Sequence, residues 1–337
     1  MPARCEPARV EAPAASYNPV VKVFRRLPPP DKREPCALTI GNFDGVHRGH
    51  QALLGNLVAE ARRLGLVSCV LTFEPHPREF FAAGKAAPVR IANLRDKLEA
   101  LADLDIDRVC VAHFNRSLAD TPPAEFVTHI LAEGLHTRCL LIGDDFRFGA
   151  RRGGDFALLQ QMGPALAMQV RAMPTVLEAG KRISSSLVRE ALAAADFPRV
   201  ADLLGRPYRL SGRVIHGRKL GRELGFPTLN LRFPHGRPAL AGIFVVEVHG
   251  ISPGRPLPGV ASVGTRPAVE RDGRPLLEVH LLDWDGDAYG KLARVEFLHR
   301  IRDEAHFDSL EALSSRIAED EGAARQFFAA RDRAARP

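Results

Sequence analysis

Five short apolar runs in the first half of this 337-residue chain constrain its fold more than any other feature. CALTIG at 36–41, VSCVLTF at 67–73, DRVCVAH at 107–113, RCLLIG at 138–143 and MQVRAMP at 168–174 alternate with helix-like segments at 50–64, 93–102, 122–133 and 153–162. Strand-length apolar runs alternating with helices pack as a parallel sheet with helices over its faces. Such a sheet takes ligands beyond the carboxyl ends of its strands, so a nucleotide is the default ligand class.

The texture changes after Arg206. YRLSGRVIHG, GIFVVEVHG, LPGVASVG, RPLLEVHLLD and ARVEFLHR are separated by Gly/Pro-rich turns and show little helical periodicity. Several short strands with turn signals between them suggest a small β-barrel or sandwich. An amphipathic helix from about Ser309 to the end closes it, with Leu310, Leu313, Ile317 and Phe328 in its apolar stripe. The chain is too long for one ordinary domain. Residues 1–20, rich in Ala, Pro and Arg, read as a disordered tail; 21–204 and 205–332 read as two domains, with the boundary in LGRP at 204–207.

Net charge is +7, with the positive residues gathered at Arg151-Arg152 and along Arg213 to Arg222. Anionic ligands follow, and nucleotide phosphates explain the charge better than nucleic acid, because no helix-turn-helix, zinc-finger or RNP-type pattern is present. The N-terminus has no apolar leader core, and no run reaches the ~18 apolar residues of a membrane span. The expectation is a cytoplasmic protein with no membrane partner. Its cysteines (Cys5, Cys36, Cys69, Cys110, Cys139) are widely spaced, with Cys69, Cys110 and Cys139 in the interior of apolar runs, and read as small core residues.

The sharpest local signal is TIGNFDGVHRGHQALL at 39–54, a strand, a glycine turn and a helix. A helix beginning near His50 aims free N–H groups and its positive dipole end at the turn, where a phosphate is favoured. Asn42, His47 and His50 can face that anion, and Gly45 and Gly49 let the backbone approach it. On spacing alone, the alternative is that both histidines are polar helix-start residues without a ligand.

His47-Arg48-Gly49-His50 has the HxGH form shared by nucleotidyltransferases and class I aminoacyl-tRNA synthetases. With LTFEPHP at 71–77, GDDFRFGARRGGD at 143–155 and RISSSLVREAL at 182–192, it resembles the adenylyltransferase domain of prokaryotic bifunctional riboflavin kinase/FAD synthetases from about Val23 to Leu204. The family form ISSTxxR appears as Ile183-Ser184-Ser185-Ser186 and Arg189, with a serine hydroxyl replacing that of threonine. The resemblance implies an α/β, Rossmann-like nucleotidyltransferase domain. His47, His50 and Gly49 would meet the α- and β-phosphates of ATP, and Ser185, Ser186 and Arg189 the pyrophosphate side. Asp145, Phe146, Phe148 and the Gly149-to-Arg152 turn would lie at the FMN end, although ordinary core packing is an equal reading of both phenylalanines.

GRVIHGRKLGRELGFPTLNL at 212–231 offers a glycine-rich basic loop, including Gly217 and Gly221, suited to cradling phosphate but without P-loop spacing. LGFPTLN at 224–230 closely resembles the GFPTAN signature of riboflavin kinases. Ala241–Phe244, Gly259–Pro267, Leu277–His280, Tyr289–Lys291 and Arg302–Glu304 follow in family order. The likeness spans about Arg206 to Phe328 and implies a six-stranded barrel with Mg2+ and ATP on one side and riboflavin on the other. Thr228 and Asn230 would be nucleotide and metal ligands, hard oxygens two residues apart on one strand face. Glu278 would be the general base, and Arg302 would hold flavin phosphate; strand alternation alone leaves Glu278 a half-exposed glutamate without a role. Ser262 and Ala268 stand where the family carries asparagine and threonine.

The expected partners are riboflavin, FMN, FAD, ATP, ADP and pyrophosphate, with homo-oligomerisation left open. Two rival readings remain at this level. One keeps only one of the two activities; the other treats the barrel as an RNA-binding module fused to a synthetase-like domain.

Overall fold

The computed structural model describes residues 21–82, 89–143, 145–173, 177–178, 181–217, 221, 224–232, 238–264 and 276–334. The tail at 1–20 and Ala268 lie outside these residues, as do 218–220 and 222–223 of the glycine-rich loop.

The first half contains β1 (Lys22–Phe24), β2 (Cys36–Ile40), α1 (Arg48–Leu64), β3 (Val67–Glu74), α2 (Pro77–Ala82), α3 (Leu94–Ala102), β4 (Arg108–His113), α4 (Arg116–Ala119), α5 (Pro123–Glu125), β5 (Thr137–Gly143), α6 (Phe156–Met162) and β6 (Gln169–Met173). Their sheet order is β1-β4-β3-β2-β5-β6, with every pairing parallel. Each of the five expected runs is a strand. β1 carries no apolar alternation and was not expected; its two exposed residues sit at the sheet edge. The helix expected at 122–133 begins as α5 and widens into a π-helix over Phe126–Gly134, whose end is marked by the Leu135 N–H donating to the Ile130 carbonyl at 3.0 Å.

Both faces of this sheet are covered, which explains its unbroken apolar runs. Cys36, Leu38 and Ile40 face one core with Cys69, Leu71, Leu140 and Ile142. The intervening Ala37, Val70, Cys139 and Leu141 face the other, against Leu54, Leu57, Val58 and Ala61 of α1. The four described cysteines are free and buried.

The strand order places a switch point at β2. The chain steps from β2 to β3 and β4 on one side, then returns to β5 on the other, so the loops leaving β2 and β5 part at their carboxyl ends and open a crevice.

A short hairpin, β7 (Leu177–Glu178) and β8 (Lys181–Arg182), leads into α7 (Ser185–Ala193) and α8 (Phe197–Leu204). There follow β9 (Arg209–Ile215), β10 (Thr228–Arg232), β11 (Gly242–His249), β12 (Leu257–Gly264), β13 (Leu276–Leu281), β14 (Leu292–Arg302) and α9 (Leu310–Ala334). These strands close an antiparallel barrel in the order β10-β13-β12-β11-β14-β9. No helix among the described residues is long and apolar enough to cross a membrane.

The helix after Ser309 is present, but its seat differs from the expected stripe. Leu310 is 54% exposed, because it opens the helix ahead of the contact with the barrel. Ala324, Phe327 and Phe328 make that contact, against Val245, Val260, Leu282, Leu298 and Ile301.

α7 and α8 precede the barrel in sequence but share its core. Val188, Leu192, Phe197, Val200, Leu203 and Leu204 belong to one buried cluster with Phe244, Val246, Leu277, Val279 and Phe297. Phe244 is 1% exposed and meets Phe197 and Phe297 edge-on at 5.9 and 5.4 Å. Phe244→Ala should cost about 3–5 kcal/mol of stability, read as a lower denaturant midpoint with unchanged m-value.

Candidate active sites

A cleft of about 370 Å³ occupies the switch point. Its walls are Asn42, Asp44, His47, Gly49 and His50 after β2, His76 and Arg78 after β3, Gly143 and Asp145 after β5, and Ser184, Ser185, Ser186 and Arg189 from α7. The first turns of α1 and α7 therefore both line one cavity, and two helix N-termini favour an anion there.

His47 caps α1. Its Nδ1 accepts from the His50 N–H at 3.3 Å, so the neutral ring carries its proton on Nε2 and presents a donor. The rings of His47 and His50 stack at 3.7 Å and 16°. The turn delivering them is unusual: Phe43, Gly45 and Val46 have φ of 47°, 83° and 44°. A positive φ at phenylalanine or at β-branched valine costs on the order of 1–3 kcal/mol.

Asp44, within the turn and 5% exposed, ties it to distant segments. Its carboxylate accepts from the Ile91 and Ala92 N–H groups at 3.2 Å and from the Arg189 guanidinium at 2.5 Å, while its carbonyl accepts from the Ser185 hydroxyl at 3.1 Å. Arg189 also donates to the Val89 carbonyl at 2.7 Å. Gly49 is packed against the His47 ring and the Ile183 carbonyl, and a Cβ on Gly45 would strike Ile91. Gly45 is not among the residues that wall the cleft, and its packing against Ile91 leaves no room for a side chain.

His76 was missed by the sequence reading although its EPHP segment was in view. Its Nδ1 accepts from the Arg78 N–H at 3.1 Å, and burial lowers its pKa to about 4. An aromatic group was missed as well: Phe80, Phe81 and Phe114 meet edge-on at 5.3 to 5.7 Å beside Phe73 of β3, with Phe81 60% exposed. Of the expected flavin contacts, Asp145 lines the cleft. Phe148 is instead buried in the core beneath Phe126 and Phe146; a half-buried Phe146 stacks on it at 5.7 Å.

The second cluster lies on the outer surface of the barrel. In β13, Leu277, Val279 and Leu281 are buried, so Glu278 and His280 face outward. Antiparallel register sets Asn230 opposite Glu278 and Thr228 opposite His280, with Ser262 flanking Glu278 on the other side. Asn230 is buried and donates to the Thr228 carbonyl at 3.3 Å. Gly217 presses on the Asn230 amide and Gly221 approaches the Phe226 carbonyl and the Thr228 methyl, so these two glycines lie close to Asn230 and Thr228. Arg302 is occupied elsewhere. It forks onto the buried Asp320 of α9 at 2.6 and 2.8 Å and donates to the Asp303 carbonyl, tying the last strand to the closing helix.

Residues 30–187 match the FAD synthetase family and residues 204–328 the riboflavin kinase family. A curated bifunctional riboflavin kinase/FMN adenylyltransferase from Pseudomonas fluorescens is 49% identical across 87% of this chain and 93% of its own length. The chain belongs to this family. The Escherichia coli K12 member is 47% identical across 88% of this chain and 94% of its own length. A solved structure described as a macrolide-efflux protein from Streptococcus pneumoniae shares the fold, with a TM-score of 0.68 and 27% identity over 91% of this chain and 99% of that one. The match of the barrel to riboflavin kinases leaves the RNA-binding reading unsupported.

The His76 environment yields a pH signature. The folded ring stays neutral down to about pH 4 whereas the unfolded ring titrates near 6.5. Unfolding therefore takes up a proton between these values, and acidification removes up to about 3 kcal/mol of stability in that window. His76→Gln should remove this loss, measured as an unfolding free energy that falls less steeply than that of wild type between about pH 6.5 and 4.

Proposed function

We propose that the chain makes FAD from riboflavin in two ATP-dependent steps. The barrel transfers the γ-phosphoryl group to riboflavin, giving FMN and ADP; the cleft at β2 transfers AMP to FMN, releasing pyrophosphate. The assignment of individual residues rests on one observation: the phosphate-handling candidates fall into two clusters, one around paired helix N-termini and one around the Asn230–Glu278 strand pair.

In the adenylyl step an FMN phosphate oxygen bonds to the α-phosphorus as the bond to the β-phosphate oxygen breaks. The attacking phosphate is already anionic, so no base is required, and barrier lowering falls to preorganised donors. His47, His50 and the first N–H groups of α1 meet the α- and β-phosphates. Ser185, Ser186 and the start of α7 receive the departing pyrophosphate, with Arg189 held in position by Asp44. Asn42 joins the nucleotide side. Asp145, Phe146 and exposed Phe81 supply the flavin end, because a flat aromatic ligand gains by stacking on an aromatic group.

Riboflavin phosphorylation does need a base, since a neutral 5′-hydroxyl must lose its proton as its oxygen bonds to the γ-phosphorus. Glu278 takes that proton. The glycine loop at Gly217 and Gly221 offers backbone N–H donors to the phosphates. Thr228 and Asn230 suit a magnesium ion, since their neutral hard oxygens lie on one face and leave the negative charge to ATP. That ion would neutralise charge on the phosphates during transfer. Arg302 serves in this reading as a brace through Asp320. The setting we propose is the cytoplasm, where ATP is abundant.

Incubation with riboflavin and Mg-ATP, with flavins separated by chromatography, should show FMN first and FAD later. His47→Ala with His50→Ala should stop the sequence at FMN. Glu278→Gln should slow FMN formation roughly 10²–10⁴-fold while supplied FMN is still converted to FAD. A wild-type chain that forms neither product would refute the assignment.

A further inference from the structure

The turn that carries His47 has positive φ at two residues other than glycine, Phe43 and Val46, and such a conformation persists only where its surroundings over-determine it. One of the groups holding it comes from the segment that leads into the barrel. Arg206 lies between α8 and β9, and its described hydrogen bonds all go to backbone carbonyls: Nη2 to Gly45 at 2.8 Å, and Nη1 to Val46 and Leu204, each at 3.2 Å. Gln51, on the first turns of α1, donates to the same Val46 and Leu204 carbonyls at 2.8 and 2.6 Å. The last carbonyl of α8 and the carbonyl immediately before His47 are thus stitched together by one cation and one amide. α8 is itself part of the barrel core through Leu203 and Leu204.

We propose that Arg206 is a positioning residue for FMN adenylylation, setting the carbonyls of Gly45 and Val46 so that His47 and the first turn of α1 are aimed at the α-phosphate. This rests on the adenylyltransferase reading of the cleft. A guanidinium suits the task because its planar fork reaches separate carbonyls at once, which an ammonium on a single stem does not. Its location makes the adenylyl site depend on a residue at the barrel entrance, about 160 positions away in the chain. The described hydrogen bonds of Arg206 reach neither the Asn230–Glu278 strand pair nor a residue that walls the nucleotide cleft, so its loss should affect one reaction and spare the other.

The test measures both reactions on the full chain. Wild type must convert FMN and ATP to FAD; if it does not, the adenylyltransferase reading itself fails. Given that activity, Arg206→Ala should lower kcat for FAD formation roughly tenfold to a hundredfold, with the KM for ATP changed less than threefold and riboflavin phosphorylation unaltered. Arg206→Lys should fall between alanine and wild type. Added guanidinium ion should restore part of the alanine variant's activity, because Arg206 borders an open cavity of about 410 Å³ between the sheet and the barrel. FAD formation within twofold of wild type in Arg206→Ala would overturn the proposal. So would a parallel loss of both activities in the alanine and lysine variants without guanidinium rescue, since that pattern describes general destabilisation.

Discussion

The chain must reverse sharply at the end of β2, and the structure depends on how that reversal is held. Left-handed backbone at Phe43, Gly45 and Val46 brings His47 onto the cap of α1. Within the turn the Val46 N–H makes only a long bond to the Phe43 carbonyl, 3.4 Å, and the shorter bonds come from further along the chain. Asp44 instead reaches the N–H groups of Ile91 and Ala92 and the guanidinium of Arg189, and Ser185 returns a hydrogen bond to the Asp44 carbonyl. Segments separated by 47 to 145 residues are thereby drawn around one anionic group. A buried carboxylate demands such partners, since leaving it unpaired costs far more than pairing it returns.

The same economy shapes the boundary between the two halves. α7 carries the hydroxyls of the nucleotide cleft on its first turn, yet its apolar residues lie in the barrel's core. Asp96 of α3 accepts from the Ser211 hydroxyl and N–H of β9, Asn93 donates to the Ser211 carbonyl at 2.8 Å, and the buried Tyr208 hydroxyl donates to the Ile91 carbonyl at 2.9 Å. Arg294 forks onto Glu99 at 2.9 and 3.1 Å. The Tyr208 bond falls on the same Ile91–Ala92 segment that grips Asp44, so the cleft is supported from the barrel side.

The architecture was legible because it is written in short windows. Apolar runs of strand length and glycine turns are local features, and the tandem motifs carried the chemistry of each half. What stayed hidden is non-local. Arg302 and Arg189 both read as phosphate ligands, and the carboxylates they pair with, Asp320 and Asp44, lie 18 and 145 residues away in the chain. Phe146 and Phe148 differ by one strand-like step, and only the packing of Phe126 decides that Phe148 is core. Phe81 carries no periodic signal, and Arg206 reads as one more basic residue in a basic chain. The outer barrel site was easier, since alternation in β13 already put Glu278 and His280 on one face; the register that sets Asn230 beside Glu278 required the fold.

Two pockets that take different pieces of the same nucleotide make a direct demand on the fate of phosphorus. Riboflavin supplied with ATP labelled at the γ-phosphate should give labelled FMN. With ATP labelled only at the α-phosphate, FMN should remain unlabelled while FAD acquires one label, and the released pyrophosphate should carry none. α-Label appearing in FMN, or FAD formed without it, would contradict the division of labour between the cleft and the barrel.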